Sequence, residues 1–361
     1  MLRYLAMAAA GLALGCTVDD VDYAGKGCSV EAPCPDGLAC IAGKCRKSTT
    51  TQSCTPSFTV TDFKRVWETP HTVRWSWSPQ GQADDFVQYK LVVAESDAAL
   101  ESARQKARAG ENDGLGGNVW TQDDNPELGK YELQLSGSTD VIAATTTDGL
   151  SAGKEYRARL LVYDAAGCVF ETDPAVALTG QEPTFSYALF DDQGHPNGTA
   201  RPPMASVQTD PTKAFEGDSY IEWPGWPDDG SVVNGNWENI GMYAIATDPQ
   251  QDYPLFDFSA AYLELAVAID GAPLAAWGEA RLIVGPSPGN CDPITVSSIY
   301  PYVFRPGAGY VVVELPLSQF GLSTGKLDAD MLKNQSICEF SIGRNWAIGE
   351  SVRIDGVRLR W

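Results

Sequence analysis

Leu150-Ser-Ala-Gly-Lys-Glu-Tyr156-Arg-Ala-Arg-Leu-Leu-Val-Tyr163-Asp-Ala-Ala-Gly167 is the stretch that decides the fold. Tyr156–Tyr163 alternates between apolar and polar positions, so one face turns to a core and the other to water. Glycine-bearing turns close both ends, which makes the run a strand of ordinary length. Working outward, Val73–Trp77 alternates around Trp75 and Trp77, and Tyr89–Ala94 supplies a further strand. Between strands, Ser96–Lys130 breaks the rhythm, and Ala98–Ala109 within it is helix-prone. Cys54 and Cys168 bracket the whole region. Residues 54–180 are therefore predicted to form a β-sandwich, its two cysteines joined across a long loop. Such a bridge contributes about 4–5 kcal/mol in the chain-entropy model.

Beyond the hinge at Glu182–Thr184, short alternating segments recur. They are Tyr187–Phe190, Ser219–Trp223, Gly241–Ala246, Tyr262–Ile269, Ala280–Val284, Val311–Leu315, Glu339–Ile342 and Val352–Trp361. Eight or more strands joined by Gly, Pro and Asp turns predict a jelly-roll sandwich over 183–361. Cys291 and Cys338 are left to pair within it. The expected fold class is all-β: a disulfide knot, a β-sandwich and a C-terminal jelly roll.

Upstream, residues 1–15 carry one charge (Arg3), a short apolar run and Gly15, followed by Cys16. These are the parts of a secretory signal, and the run is too short to span a bilayer. Cys16 directly after Gly15 resembles the lipobox of bacterial lipoproteins, with Ala13 where Leu is commonest. That resemblance implies lipidation of Cys16, export, and anchoring by lipid at the outer membrane or cell surface. Nine cysteines minus Cys16 leave eight, an even set suited to disulfides in an oxidising compartment. Residues 16–27 read as an acidic tether. Residues 28–45 hold Cys28, Cys34, Cys40 and Cys45, too short a span for an apolar core, so bridges must hold it. The spacings are not those of zinc-ribbon pairs. Cys28–Cys40 with Cys34–Cys45 is the favoured pairing of three, connectivity not being fixed by sequence. A linker occupies 46–53.

Two further resemblances follow from quoted residues. Leu150, the Gly-containing turn and Tyr156 are similar to the tyrosine corner of fibronectin type III domains, implying a fibronectin-like spacer with Trp75 or Trp77 as its core tryptophan. In the last domain the landmarks are Phe-Asp-Asp (190–192), Glu-Gly-Asp-Ser-Tyr (216–220), Phe-Asp-Phe-Ser (256–259), Val-Glu-Leu-Pro-Leu (313–317) and Ser-Val-Arg-Ile-Asp-Gly (351–356). Their order resembles the galactose-binding-like carbohydrate-binding modules. That resemblance implies a structural calcium held by Asp192, Glu216, Asp218 and Asp355, with carbonyls completing the shell.

A net charge of −21 excludes a nucleic-acid partner, since nothing here neutralises a phosphate backbone. Sugar recognition needs rings against C–H faces and planar polar groups for hydroxyls. Trp226 in its Gly-Pro turn, and Trp237 and Tyr243 with Asn236 and Glu238, are the expected ligand-binding residues. No catalytic residues are assigned: the chain holds two histidines, His71 and His195, and no Gly-x-Ser-x-Gly elbow. The expected function is a lipid-anchored, non-catalytic surface protein presenting a carbohydrate-binding-like domain to polysaccharide or cell-wall glycan. The alternatives are an adhesion or assembly scaffold for a protein partner, or an accessory glycan-active enzyme.

Overall fold

The computed structural model describes residues 38–41, 44–47, 55–111, 117–134, 141–190, 199–201, 205–226, 236–247, 257–271, 276–285, 296–304, 309–323, 327–329, 332 and 335–361. The leader (1–15), the tether (16–27), Cys16, Cys28, Cys34, Cys54, Asp192 and Cys291 lie outside the described residues. Of the knot, β1 (Leu38–Ile41) and β2 (Lys44–Lys47) form an antiparallel hairpin that puts position 40 opposite position 45.

The chain is all-β, with two sandwiches. In the first, β3 (Thr59–Glu68), β4 (Val73–Gln80) and β9 (Ala144–Thr147) make one sheet. The other joins β5 (Phe86–Ala94), β6 (Val119–Trp120), β10 (Glu155–Asp164), β11 (Val169–Glu171) and β12 (Ala175–Leu178). A two-stranded ribbon of β7 (Leu133–Gln134) and β8 (Val141–Ile142) lies apart from both. Trp75 and Trp77 are both buried, sharing a core with Tyr89, Leu91, Tyr156 and Leu160. The Tyr156 hydroxyl accepts the Ser151 N–H at 2.9 Å. The helix-prone insert is α1 (Asp97–Ala109). Ser96 caps its first turn, and Gly110 at φ 88 takes the left-handed end that glycine adopts without strain. Leu100, Ala103 and Ala107 seat it on Val92, Leu161 and Tyr163. Cys168 is disulfide-bonded, and its sulfur lies 3.7 Å from the Thr55 carbonyl, next to position 54.

In the second sandwich, one sheet runs β15 (Ser206–Thr209), β16 (Ser219–Trp223), β24 (Ser351–Arg360), β18 (Tyr262–Asp270), β21 (Val311–Pro316), with β13 (Ser186–Phe190) also on β24. The other runs β14 (Thr199–Arg201), β17 (Asn236–Thr247), β23 (Ile337–Trp346), β19 (Ala276–Val284), β20 (Val296–Phe304), β22 (Leu322–Ser323). All eight predicted segments are strands, several of them longer than predicted; β14, β15, β20 and β22 are additional. Cys338 is disulfide-bonded.

The two sandwiches touch through a built contact. Trp67 of β3 belongs to the core cluster of the second sandwich. Glu314 of β21, its side chain 2% exposed, accepts the Thr69 hydroxyl and, at 3.1 Å, the His71 N–H.

Candidate functional site

The site is the outer face of the β14–β17–β23–β19–β20–β22 sheet. Ile240, Met242, Ala280, Leu282, Phe340 and Ile342 pack in the core, so alternation sends the odd-numbered neighbours outward. Register then arranges them in rows. Tyr243 lies beside Glu339 and Ile283, Gly241 beside Ser341 and Arg281, and Asn239 beside Gly343 and Glu279. Gly343 has no side chain, so a gap separates Asn239 from Glu279, whose strands stand about 10 Å apart.

The electrostatics of this face are unusual for a sheet exterior. Glu279 is only 7% exposed, and no hydrogen bond or ion pair reaches its carboxylate among the described residues. Burial raises its carboxyl above the ordinary glutamate range, the nearby Arg281 charge opposing that. Asn239 Oδ1 and Arg281 Nε are buried without a hydrogen-bond partner. Ser341 donates to Glu339 at 2.9 Å, which orders that pair. Tyr243, 40% exposed, puts a ring at the edge of the polar rows. Acceptors (Asn239, Glu279) and a donor (Arg281) thus share this face around Gly343, with the Tyr243 ring two rows away.

The expected ligand-binding residues divide. Positions 237 and 243 share the outer face of β17 with Asn239, whereas positions 236 and 238 alternate to the other face, opposite Trp346 and Arg344. Trp226 corrects the expectation of an exposed platform. Its ring meets Trp223 edge-on at 5.6 Å, and Trp223 packs on Trp346 at the same distance. The physical reason is Gly225: at φ +91, a Cβ there would stand 2.1 Å from the Glu350 carbonyl, so the turn folds tightly back and carries Trp226 onto the core. Nearby, Arg344 stacks over Trp346 at 4.9 Å and pairs with Glu350 at 3.0 Å, both side chains buried. Sequence reading missed Glu279, Arg281, Glu339 and Ser341. Only the period of the strands, once their core faces are known, could have singled them out.

Of the residues expected to hold calcium, Asp192 lies outside the described residues, and the other three are engaged within the chain. Asp355 is fully buried and takes N–H groups from Phe215 (2.7 Å), Glu216 (3.1 Å) and Gly356 (2.6 Å). Glu216 is ion-paired with Arg358, so an arginine supplies positive charge beside it. Asp218 is hydrogen-bonded by the Ser219 hydroxyl at 3.3 Å. Among the described residues no three His, Cys, Asp or Glu side chains gather to hold a metal.

No model of a known protein family matches the chain, and no curated protein matches its sequence. Among solved structures it is similar to a family 11 carbohydrate-binding module from Clostridium thermocellum in complex with a β-1,3-1,4-mixed-linked tetrasaccharide. Identity is 18% and the TM-score 0.31, over 48% of this chain and 94% of that one. A second similar structure is described as showing promiscuous specificity in carbohydrate-binding modules of the β-sandwich superfamily, at 13% identity and TM-score 0.28, over 83% and 97%. At these scores the functional question falls to the residues themselves.

Proposed function

We propose that the second sandwich binds a glycan on the outer face of the β17–β23–β19 rows, as part of an exported, lipid-anchored and non-catalytic surface protein. The observation that carries this is the pair of buried polar atoms without hydrogen-bond partners, Asn239 Oδ1 and Arg281 Nε, beside the desolvated Glu279 in the rows about Gly343, with exposed Tyr243 four residues along β17 from Asn239. Polar groups left without partners in a folded chain carry a desolvation penalty, which a ligand rich in hydroxyls would remove. Polysaccharide or cell-wall glycan is such a ligand, and Tyr243 offers a flat face to its C–H groups. The first sandwich, with its fibronectin-like corner, acts as the spacer that holds this face away from the membrane.

The two buried glutamates of this face stand in different rows. Glu279 lies opposite Gly343, four residues along β23 from Glu339. That is about 13 Å at the backbone. The test is binding of the full chain to a polysaccharide panel. One glycan class should bind, and Tyr243→Ala should weaken it about tenfold or more at unchanged Tm, a loss of about 1.4 kcal/mol. Trp226→Ala should lower Tm instead, since that ring packs on the core. If no glycan binds, or Tyr243→Ala binds like the parent, the reading fails and a protein partner becomes the alternative.

A further inference from the structure

We propose that His71 is a proton-operated clasp between the two sandwiches: as imidazolium it ties the first sandwich to Glu314 of β21 and to Glu182 of the connecting segment, and as neutral imidazole it releases one of them. The geometry that carries this lies outside the glycan face. Nδ1 stands 2.8 Å from Glu314 Oε1, and Nε2 stands 3.1 Å from Glu182 Oε1. Ionised carboxylates only accept, so both contacts are hydrogen bonds only when both ring nitrogens carry protons. Glu314 cannot turn away, because its other oxygen already accepts the Thr69 hydroxyl and the His71 N–H. Loss of the proton therefore leaves a lone pair facing a carboxylate, on one side or the other.

The charged surroundings are few. Behind Glu314 stand Tyr262 of β18 and Arg360 of β24, and Arg360 is held by Glu264 at 3.0 and 2.8 Å. The charges directly on the ring are those of Glu314 and Glu182. Burial alone would lower the histidine's pKa, but hydrogen bonds and charge from Glu314 and Glu182 outweigh it and leave the pKa raised above 6.5. A raised folded-state pKa contributes stability that is fully present below about 6.5 and is lost as pH rises through the raised value. The ring is 36% exposed, so solvent screening keeps the contribution modest.

The test uses the full chain and two readouts. Only His71 and His195 contribute histidine ring signals, so a His195→Asn background assigns the ring titration by nitrogen NMR. His71 should titrate above 6.5, and Glu182→Gln should move it part of the way down. Spin labels at exposed Val176 and Val207, one on each sandwich, should give a narrow distance distribution at pH 6 that broadens by pH 9. Over the same range Tm should fall about 2–4 °C. His71→Gln should show neither pH effect while keeping the fold. A His71 ring that titrates at or below 6.5, or a label distance indifferent to pH, overturns the proposal.

Discussion

Glu279 is held at the edge of what burial permits. Its carboxyl is raised above the ordinary glutamate range by desolvation, and no hydrogen bond reaches it among the described residues. A glycan hydroxyl that donates to it binds the ionised form in preference. Glycan affinity should therefore weaken as pH falls through the raised Glu279 value and recover above it. Titration calorimetry from pH 4 to 8 checks this, and Glu279→Gln should bind less tightly with a flattened pH profile. An unchanged profile in that variant would detach Glu279 from the site. A second residue pair states a different case, a buried charge with an ionic partner within the chain. Arg344 and Glu350 are both buried and joined at 3.0 Å. Glu350→Ala strands a buried guanidinium and should lower unfolding stability by about 3–5 kcal/mol. The double variant Arg344→Met with Glu350→Leu should recover most of that loss in denaturant titration, because apolar replacement of a buried pair is often neutral.

At the scale of elements, the pairing of β17 with β23 makes the site, and one glycine permits it. A Cβ on Gly241 would stand 2.1 Å from the Phe340 carbonyl oxygen and 2.6 Å from Ser341 Cα. Gly241→Ala should push the strands apart, lower stability by about 1–3 kcal/mol, and weaken glycan binding with it, as thermal unfolding and the panel assay would show. The same strands explain what could be read in advance. Helix α1 was legible because an alanine-rich run lies between Ser96 and Gly110, so propensity and caps agree. β16 was legible because Ser219–Trp223 alternates with bulky apolar residues. The opening of β17, Asn-Trp-Glu-Asn, has poor strand propensity and owes its extension to β23 across nine registered pairs. β20 carries Pro301 in its middle, which demotes a run read in isolation. The site was less legible than the fold. Glu279 and Glu339 look like surface decoration in an acidic chain, and only the partner strands reveal that both are buried on an outer face.

For the molecule as a whole, the contact between sandwiches joins the two cores. Trp67 sits on β3, in the first sandwich, yet it is buried in the core cluster of the second. The connection continues through Glu314, and through Thr184 and Phe185, whose N–H groups both donate to the Trp361 carbonyl at 3.1 Å. A ring lent by one domain to its neighbour couples their stabilities, because neither keeps its packing when the other opens. Trp67→Ala removes that ring at the usual penalty for a buried large aromatic, about 3–5 kcal/mol. The loss should fall on the second sandwich: amide exchange in β13, β18, β21 and β24 should quicken, while the Trp75 and Tyr89 core of the first sandwich stays protected. Calorimetry should then resolve two transitions where the parent shows one. Exchange that quickens only in β3 and β4 would make Trp67 a local prop, and the two sandwiches independent beads on a chain.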